Sequence, residues 1–198
     1  MSTVAPVPLW NLANILTMVR VLLVPVFVVF FLGDSTASRI IATAVFIIAA
    51  ITDRLDGQIA RSRGLVTNFG KIADPIADKA LVISALVLLS LDGLVPWWVT
   101  VVIIVRELGI TVLRFVMIRR SVIAASSGGK LKTVLQLAFI ISYLVPWAAL
   151  LPGGVADVIL TITWWIMIIA VAVTVLTGLD YIVRAARFSE GPADRASA

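Results

Sequence analysis

The sequence predicts an all-α membrane protein of six transmembrane helices with both termini on the cytoplasmic side. Three observations carry that expectation. Hydrophobic residues make up 61% of the 198-residue chain and charged residues only 14%, against about 45–50% and about 25% in a soluble domain. The mean hydropathy is accordingly high, +1.12. Six apolar runs reach about the 20 residues that a helix needs to cross a bilayer, and basic residues fill alternate connections between them, the pattern of the positive-inside rule.

The first run, 12–32, has no Lys or Arg before Arg20. It lacks the positive start of a cleaved secretory signal and reads as a retained span. Ahead of it, PVPLWNLAN can lie along the interface with Trp10 as its anchor. The next four runs cover 38–60, 72–91, 97–118 and 131–151. The sixth, 155–185, is longer than a crossing requires, so it tilts or projects past the membrane. Strands are excluded because the runs are too long and lack the two-residue alternation of a lipid-facing barrel.

The connections GDSTAS, LDGLVP and LPGGVAD each carry an aspartate and no Lys or Arg. The others carry Arg61, Arg63 and Lys71, then Arg119, Arg120, Lys130 and Lys132, and the C-terminal end carries Arg184, Arg187 and Arg195. Both termini and both basic connections are therefore expected in the cytoplasm, placing the chain as a multi-pass protein of the cytoplasmic (inner) cell membrane. One membrane domain over 1–188 and a disordered tail over 189–198 account for the length.

Net charge is +5, but the basic residues sit in short loops, so topology explains them and nucleic acid is not an expected partner. Cysteine and histidine are both absent. That excludes a disulfide framework, a thiol nucleophile and an imidazole base. Any chemistry must run on Asp, Glu, Lys, Arg, Tyr and hydroxyls.

The chemistry-bearing stretch is DRLDGQIARSRGLVTNFGKIADPIAD, residues 53–78, with four aspartates. Asp53 and Asp56 are three apart, and Asp74 and Asp78 four apart, so each pair shares one helical face. Gly57 and Ala60 continue the first face and Gly70 precedes Asp74 by a turn, letting helices or a ligand approach closely. A single such aspartate would read as a solvated or capping residue, and Asp74 before Pro75 could be a cap. Four at these offsets, with Arg61 between them, point to a site. An all-oxygen set with no His or Cys favours Mg²⁺ or Mn²⁺. Two such ions can clamp the attacking and leaving oxygens of a phosphoryl displacement.

The full spacing, Asp53-x2-Asp56-Gly57-x2-Ala60-Arg61-x8-Gly70-x3-Asp74-x3-Asp78, resembles the signature of the CDP-alcohol phosphotransferase family at every defined position. The resemblance implies a six-helix, metal-dependent membrane transferase, usually a homodimer. It also implies that an acceptor hydroxyl attacks the lipid-side phosphate of a CDP-linked donor and CMP leaves. By motif position Asp53, Asp56, Asp74 and Asp78 would hold two divalent ions, with Asp78 also the general base. Gly57 and Arg61 would touch the CDP moiety, and Thr67 falls where the family often has a nucleotide-contacting hydroxyl.

The acceptor must be chosen by other polar residues. Arg106-Glu107 interrupts a span rich in Val and Ile, Arg114 follows on much the same face, and SSGGKLKT brings Lys130 and Lys132. These cations suit a phosphate. The plainer readings are membrane anchoring for the lysines and, for Arg106, an ion pair with Glu107 or another acid. The pattern IVRELGITVLR…GGKLKT resembles the glycerol-phosphate-using branch of the family. It implies sn-glycerol 3-phosphate as acceptor, with Arg106, Lys130 and Lys132 near its phosphate.

NLANILTMVRV also resembles that branch. Asn14 and Thr17, three apart, could face the donor cytidine or serve helix–helix hydrogen bonding, with Arg20 as a supporting partner. The expected reaction is phosphatidyl transfer from CDP-diacylglycerol to sn-glycerol 3-phosphate, giving phosphatidylglycerophosphate and CMP. Inositol phosphate, phosphatidylglycerol or serine are the alternative acceptors. A divalent-cation transporter is the alternative of another class; it predicts carboxylates spread across several spans near mid-membrane.

Overall fold

The structure, a computed structural model, describes residues 12–62, 68–117 and 127–189, with side chains described over 15–53, 76–113 and 130–184. Every regular element among them is a helix: α1 (Leu12–Phe31), α2 (Thr36–Ser62), α3 (Asn68–Leu91), α4 (Trp97–Met117), α5 (Ser127–Leu144), the short α6 (Trp147–Leu150) and α7 (Gly153–Ser189). The interfacial segment ahead of α1 and most of the expected tail lie outside the described residues.

Local chemistry sets the helix ends. α3 closes at a turn where Gly93 takes φ 75°, a conformation that favours glycine. There Gly93 N–H donates to Ser90 O at 3.1 Å and Leu94 N–H to Leu89 O at 3.0 Å, satisfying the last carbonyls. Pro96 then opens α4, its carbonyl accepting from Val99 N–H at 3.0 Å. Pro146 has no N–H and disfavours a helical residue before it. The run expected over 131–151 is therefore divided, with α5 stopping at Leu144 and α6 following. Trp147 ties the break together by donating Nε1–H to Ser142 O at 2.8 Å.

α1 packs on α2 and α3, α2 on α5, α3 on α4, and both α4 and α5 on α7. The core takes one buried anchor from each long helix: Phe27, Phe46, Leu86, Ile103, Phe139 and Met167. Hydroxyls cross-link the packing. Thr43 Oγ1 on α2 reaches Leu144 O on α5 at 3.0 Å. Ser90 pairs with Thr100 at 2.6 Å between α3 and α4, and Ser142 with Thr163 at 2.5 Å between α5 and α7.

The outer surface is apolar, with Val105, Val112, Val158 and Leu176 more than half exposed. So broad an apolar surface is what a protein facing lipid presents. Thr36–Asp53 and Gly153–Arg184 are long and apolar enough to cross a membrane, and Ile15–Phe31 is a shorter apolar helix. Where lipid surrounds such a bundle, close packing and interhelical hydrogen bonds hold it, since lipid tails are as apolar as the core. Arg39 stands beside a connection read as non-basic, at the end of the bundle away from Asp53 and Asp78. It ion-pairs with Asp92 in the α3–α4 turn, and its guanidinium lies 3.9 Å from the Phe31 ring centroid. Its charge is answered on the spot.

Candidate active site

The site begins with a buried charge. Arg20 on α1 is fully buried, and its Nη1 lies 2.8 Å from Asp53 Oδ1 on α2. A guanidinium taken out of water is tolerated only against an anion. The two helices pack so as to supply one, since an arginine three residues beyond the buried Thr17 shares its inward face. Asp53 keeps 36% of its side chain exposed, so it can serve Arg20 and still face the cavity.

That cavity, about 100 Å³, is lined by Asp53 of α2, Asp78 and Lys79 of α3, Glu107 of α4, and Lys132 and Gln136 of α5. It has room for several waters or one small polar molecule. Asp56 and Asp74 belong to α2 and α3, but their side chains lie outside the described residues, as do those of Asn14, Arg61 and Arg114 and the surroundings of Gly57; Thr67 lies outside altogether. Among the described residues no group of three or more acidic ligands is assembled, because the metal set expected from the motif is described only for Asp53 and Asp78. Those two carboxylates converge from separate helices on one cavity, and oxygen donors of that kind fit a hard divalent ion.

The opposite wall is basic, and Glu107 organises it. Its Oε1 accepts from Arg106 Nη1 at 3.2 Å and also pairs with Lys132 Nζ. All three groups are more than four-fifths buried. Arg106 extends toward α7, where Nη2 donates to Thr177 Oγ1 at 3.2 Å. Its stem crosses Gly178: a Cβ placed there would stand 3.2 Å from Arg106 Cγ. A glycine at this crossing lets α4 and α7 approach around a long cationic side chain.

Of the expected acceptor residues, Lys132 faces the carboxylates, Arg106 reaches them only through Glu107, and Lys130 is exposed outside the cavity. The ion pair of Arg106 with Glu107 is present, as the plainer reading had it. Four polar cavity residues were not singled out as site candidates: Lys79, Glu107, Thr133 and Gln136. The signals were there in part. Lys79 adjoins a motif aspartate, and Gln136 follows Lys132 by one turn as an amide inside the apolar LQLAFII. The arrangement gathers Asp53 on α2, Asp78 and Lys79 on α3, Glu107 on α4 and Lys132 on α5 around one cavity. It can hold a phosphate-bearing ligand together with the cations that neutralise it.

The family model for CDP-alcohol phosphatidyltransferase matches residues 10–176. The chain belongs to that family, and is therefore a transferase. Over 180 residues it is 50% identical to the "Probable phosphatidylglycerophosphate synthase" of Mycobacterium tuberculosis, covering 89% of this chain and 82% of that one. It is 41% identical over 142 residues to the CDP-diacylglycerol–glycerol-3-phosphate 3-phosphatidyltransferase of Bacillus subtilis, covering 65% of this chain and 74% of the relative. The Escherichia coli protein of the same name is 41% identical over 134 residues, covering 65% and 73%.

Proposed function

We propose that the chain transfers the phosphatidyl group of CDP-diacylglycerol to sn-glycerol 3-phosphate, releasing CMP and forming phosphatidylglycerophosphate. The observation that carries this reading is the single cavity in which Asp53 and Asp78 face Lys132, in a chain whose relatives bear the names of that activity. The primary hydroxyl of the acceptor forms the new bond to the lipid-side phosphorus. The bond from that phosphorus to the CMP oxygen breaks, and the hydroxyl proton passes to a base. Asp78 is our candidate base, since it lines the cavity from the helix that also carries Asp74.

Asp53, Asp56, Asp74 and Asp78 would hold two Mg²⁺ or Mn²⁺ ions. When bound, these offset the charge that develops on the pyrophosphate oxygens as CMP departs. Arg20 holds Asp53 in place from behind. Asn14, Thr17, Gly57, Arg61 and Thr67 would contact the cytidine diphosphate, with Arg61 near the pyrophosphate. Lys132 and Arg106 would receive the acceptor phosphate, with Lys130 at the rim. Six spans with both termini cytoplasmic would open the site to the cytoplasm at the inner cell membrane, and a homodimer is the expected assembly. Diacylglycerol tails would then enter sideways from the bilayer.

The test is CMP release by the purified protein from CDP-diacylglycerol, with each acceptor supplied in turn. Release with sn-glycerol 3-phosphate supports the proposal. Release with inositol phosphate, serine or phosphatidylglycerol but not with sn-glycerol 3-phosphate would overturn it.

A further inference from the structure

Gln136 is 5% exposed, yet its Nε2 has no hydrogen-bond partner among the described residues. A buried amide donor left unmatched destabilises a fold unless a ligand completes it. The side chain lines the cavity that also holds Asp78, Glu107 and Lys132. Glu107 takes Arg106 and Lys132 both on Oε1 and makes no bond to the Gln136 amide. Lys132 offers no acceptor at all. The unmatched donor therefore belongs to whatever enters the cavity.

Placement indicates which part of the ligand it meets. Gln136 follows Lys132 by one turn on the same face of α5, about 6 Å along the axis. Asp78 and Gln136 each stand about three turns inside the site-side ends of α3 and α5, which pack together. A ligand whose phosphate is held by Lys132 therefore directs its hydroxyl end toward the level shared by Gln136 and Asp78.

We propose that Gln136 is a specificity-determining residue for the acceptor: its Nε2 donates to the hydroxyl adjacent to the attacking one, so that the site selects a vicinal diol phosphate. This rests on the acceptor reading above. A site built to bond a hydroxyl rejects the analogue that lacks it, because the buried donor is then left unpaired.

The experiment compares sn-glycerol 3-phosphate with 3-hydroxypropyl phosphate, which lacks only the middle hydroxyl, in the wild-type chain and in Gln136→Leu. The wild type is expected to use the analogue with kcat/KM about 10–100-fold lower. Gln136→Leu is expected to lower kcat/KM for sn-glycerol 3-phosphate by a similar factor and to leave the analogue nearly unchanged, so the ratio between acceptors collapses. A wild type that uses both acceptors equally overturns the assignment without any variant. So does a Gln136→Leu protein that loses both activities by the same factor. If the wild type releases no CMP with sn-glycerol 3-phosphate, the acceptor reading fails and this assignment fails with it. If it does and the ratio persists in the variant, only the role of Gln136 fails.

Discussion

Replacing Glu107 by Gln keeps the shape of the side chain and an oxygen that accepts hydrogen bonds, but removes the charge between two cations. Arg106, Glu107 and Lys132 have side chains 17%, 16% and 8% exposed, so water can do little to replace what is lost. Breaking a buried pair by removing one partner costs about 3–5 kcal/mol. The retained amide oxygen keeps part of the bonding, which points to the lower end, about 3 kcal/mol. For a chain of this size each kcal/mol shifts Tm by about 2–4 °C, so a fall of about 6–12 °C is expected.

The assay is thermal unfolding in detergent, read beside Glu107→Leu/Lys132→Met. Apolar replacement of both members removes the orphaned lysine and should recover part of the loss. A Glu107→Gln protein melting within about 1 °C of wild type would refute the idea that this carboxylate holds the basic wall together.

The remaining expectations concern the two walls of the cavity. Stripping divalent ions with a chelator should abolish CMP release, and adding back Mg²⁺ or Mn²⁺ should restore it; full turnover in excess chelator would remove the metal reading. Lys132→Ala should raise the KM for sn-glycerol 3-phosphate by about 10-fold or more, since a charge-assisted bond to phosphate contributes about 1.5–3 kcal/mol. Lys130→Ala should change it far less, because Lys130 is exposed outside the cavity. Steady-state kinetics with the acceptor varied separates the two, and equal effects would contradict the placement.

The helices were readable because their causes are local. Apolar run length placed α1 to α4 and α7 within a few residues of their observed ends. The division of the fifth run was carried by Pro146 in LVPW, a helix-stopping signal outweighed by the apolar residues on either side. In the site, the span bounds put Asp53 and Asp78 near one end of successive helices, and the two line one cavity. What could not be read was partnership across helices. That Glu107 joins Arg106 to Lys132, that Arg106 leans over Gly178, and that Gln136 turns a bare amide into the cavity all depend on how α4, α5 and α7 pack. Arg39 shows the same limit from the other side of the bundle. Its answer comes from Asp92 in the α3–α4 turn and the Phe31 ring on α1, both brought to it by packing.

The most direct measurement is phosphatidylglycerophosphate formation by Asp78→Asn, with insertion and Tm matched to wild type and CDP-diacylglycerol and sn-glycerol 3-phosphate both saturating. If transfer takes place in the cavity shared by Asp53, Asp78 and Lys132, the variant forms no detectable product while the wild type forms it together with equal CMP. Turnover close to wild type in that variant would contradict the account.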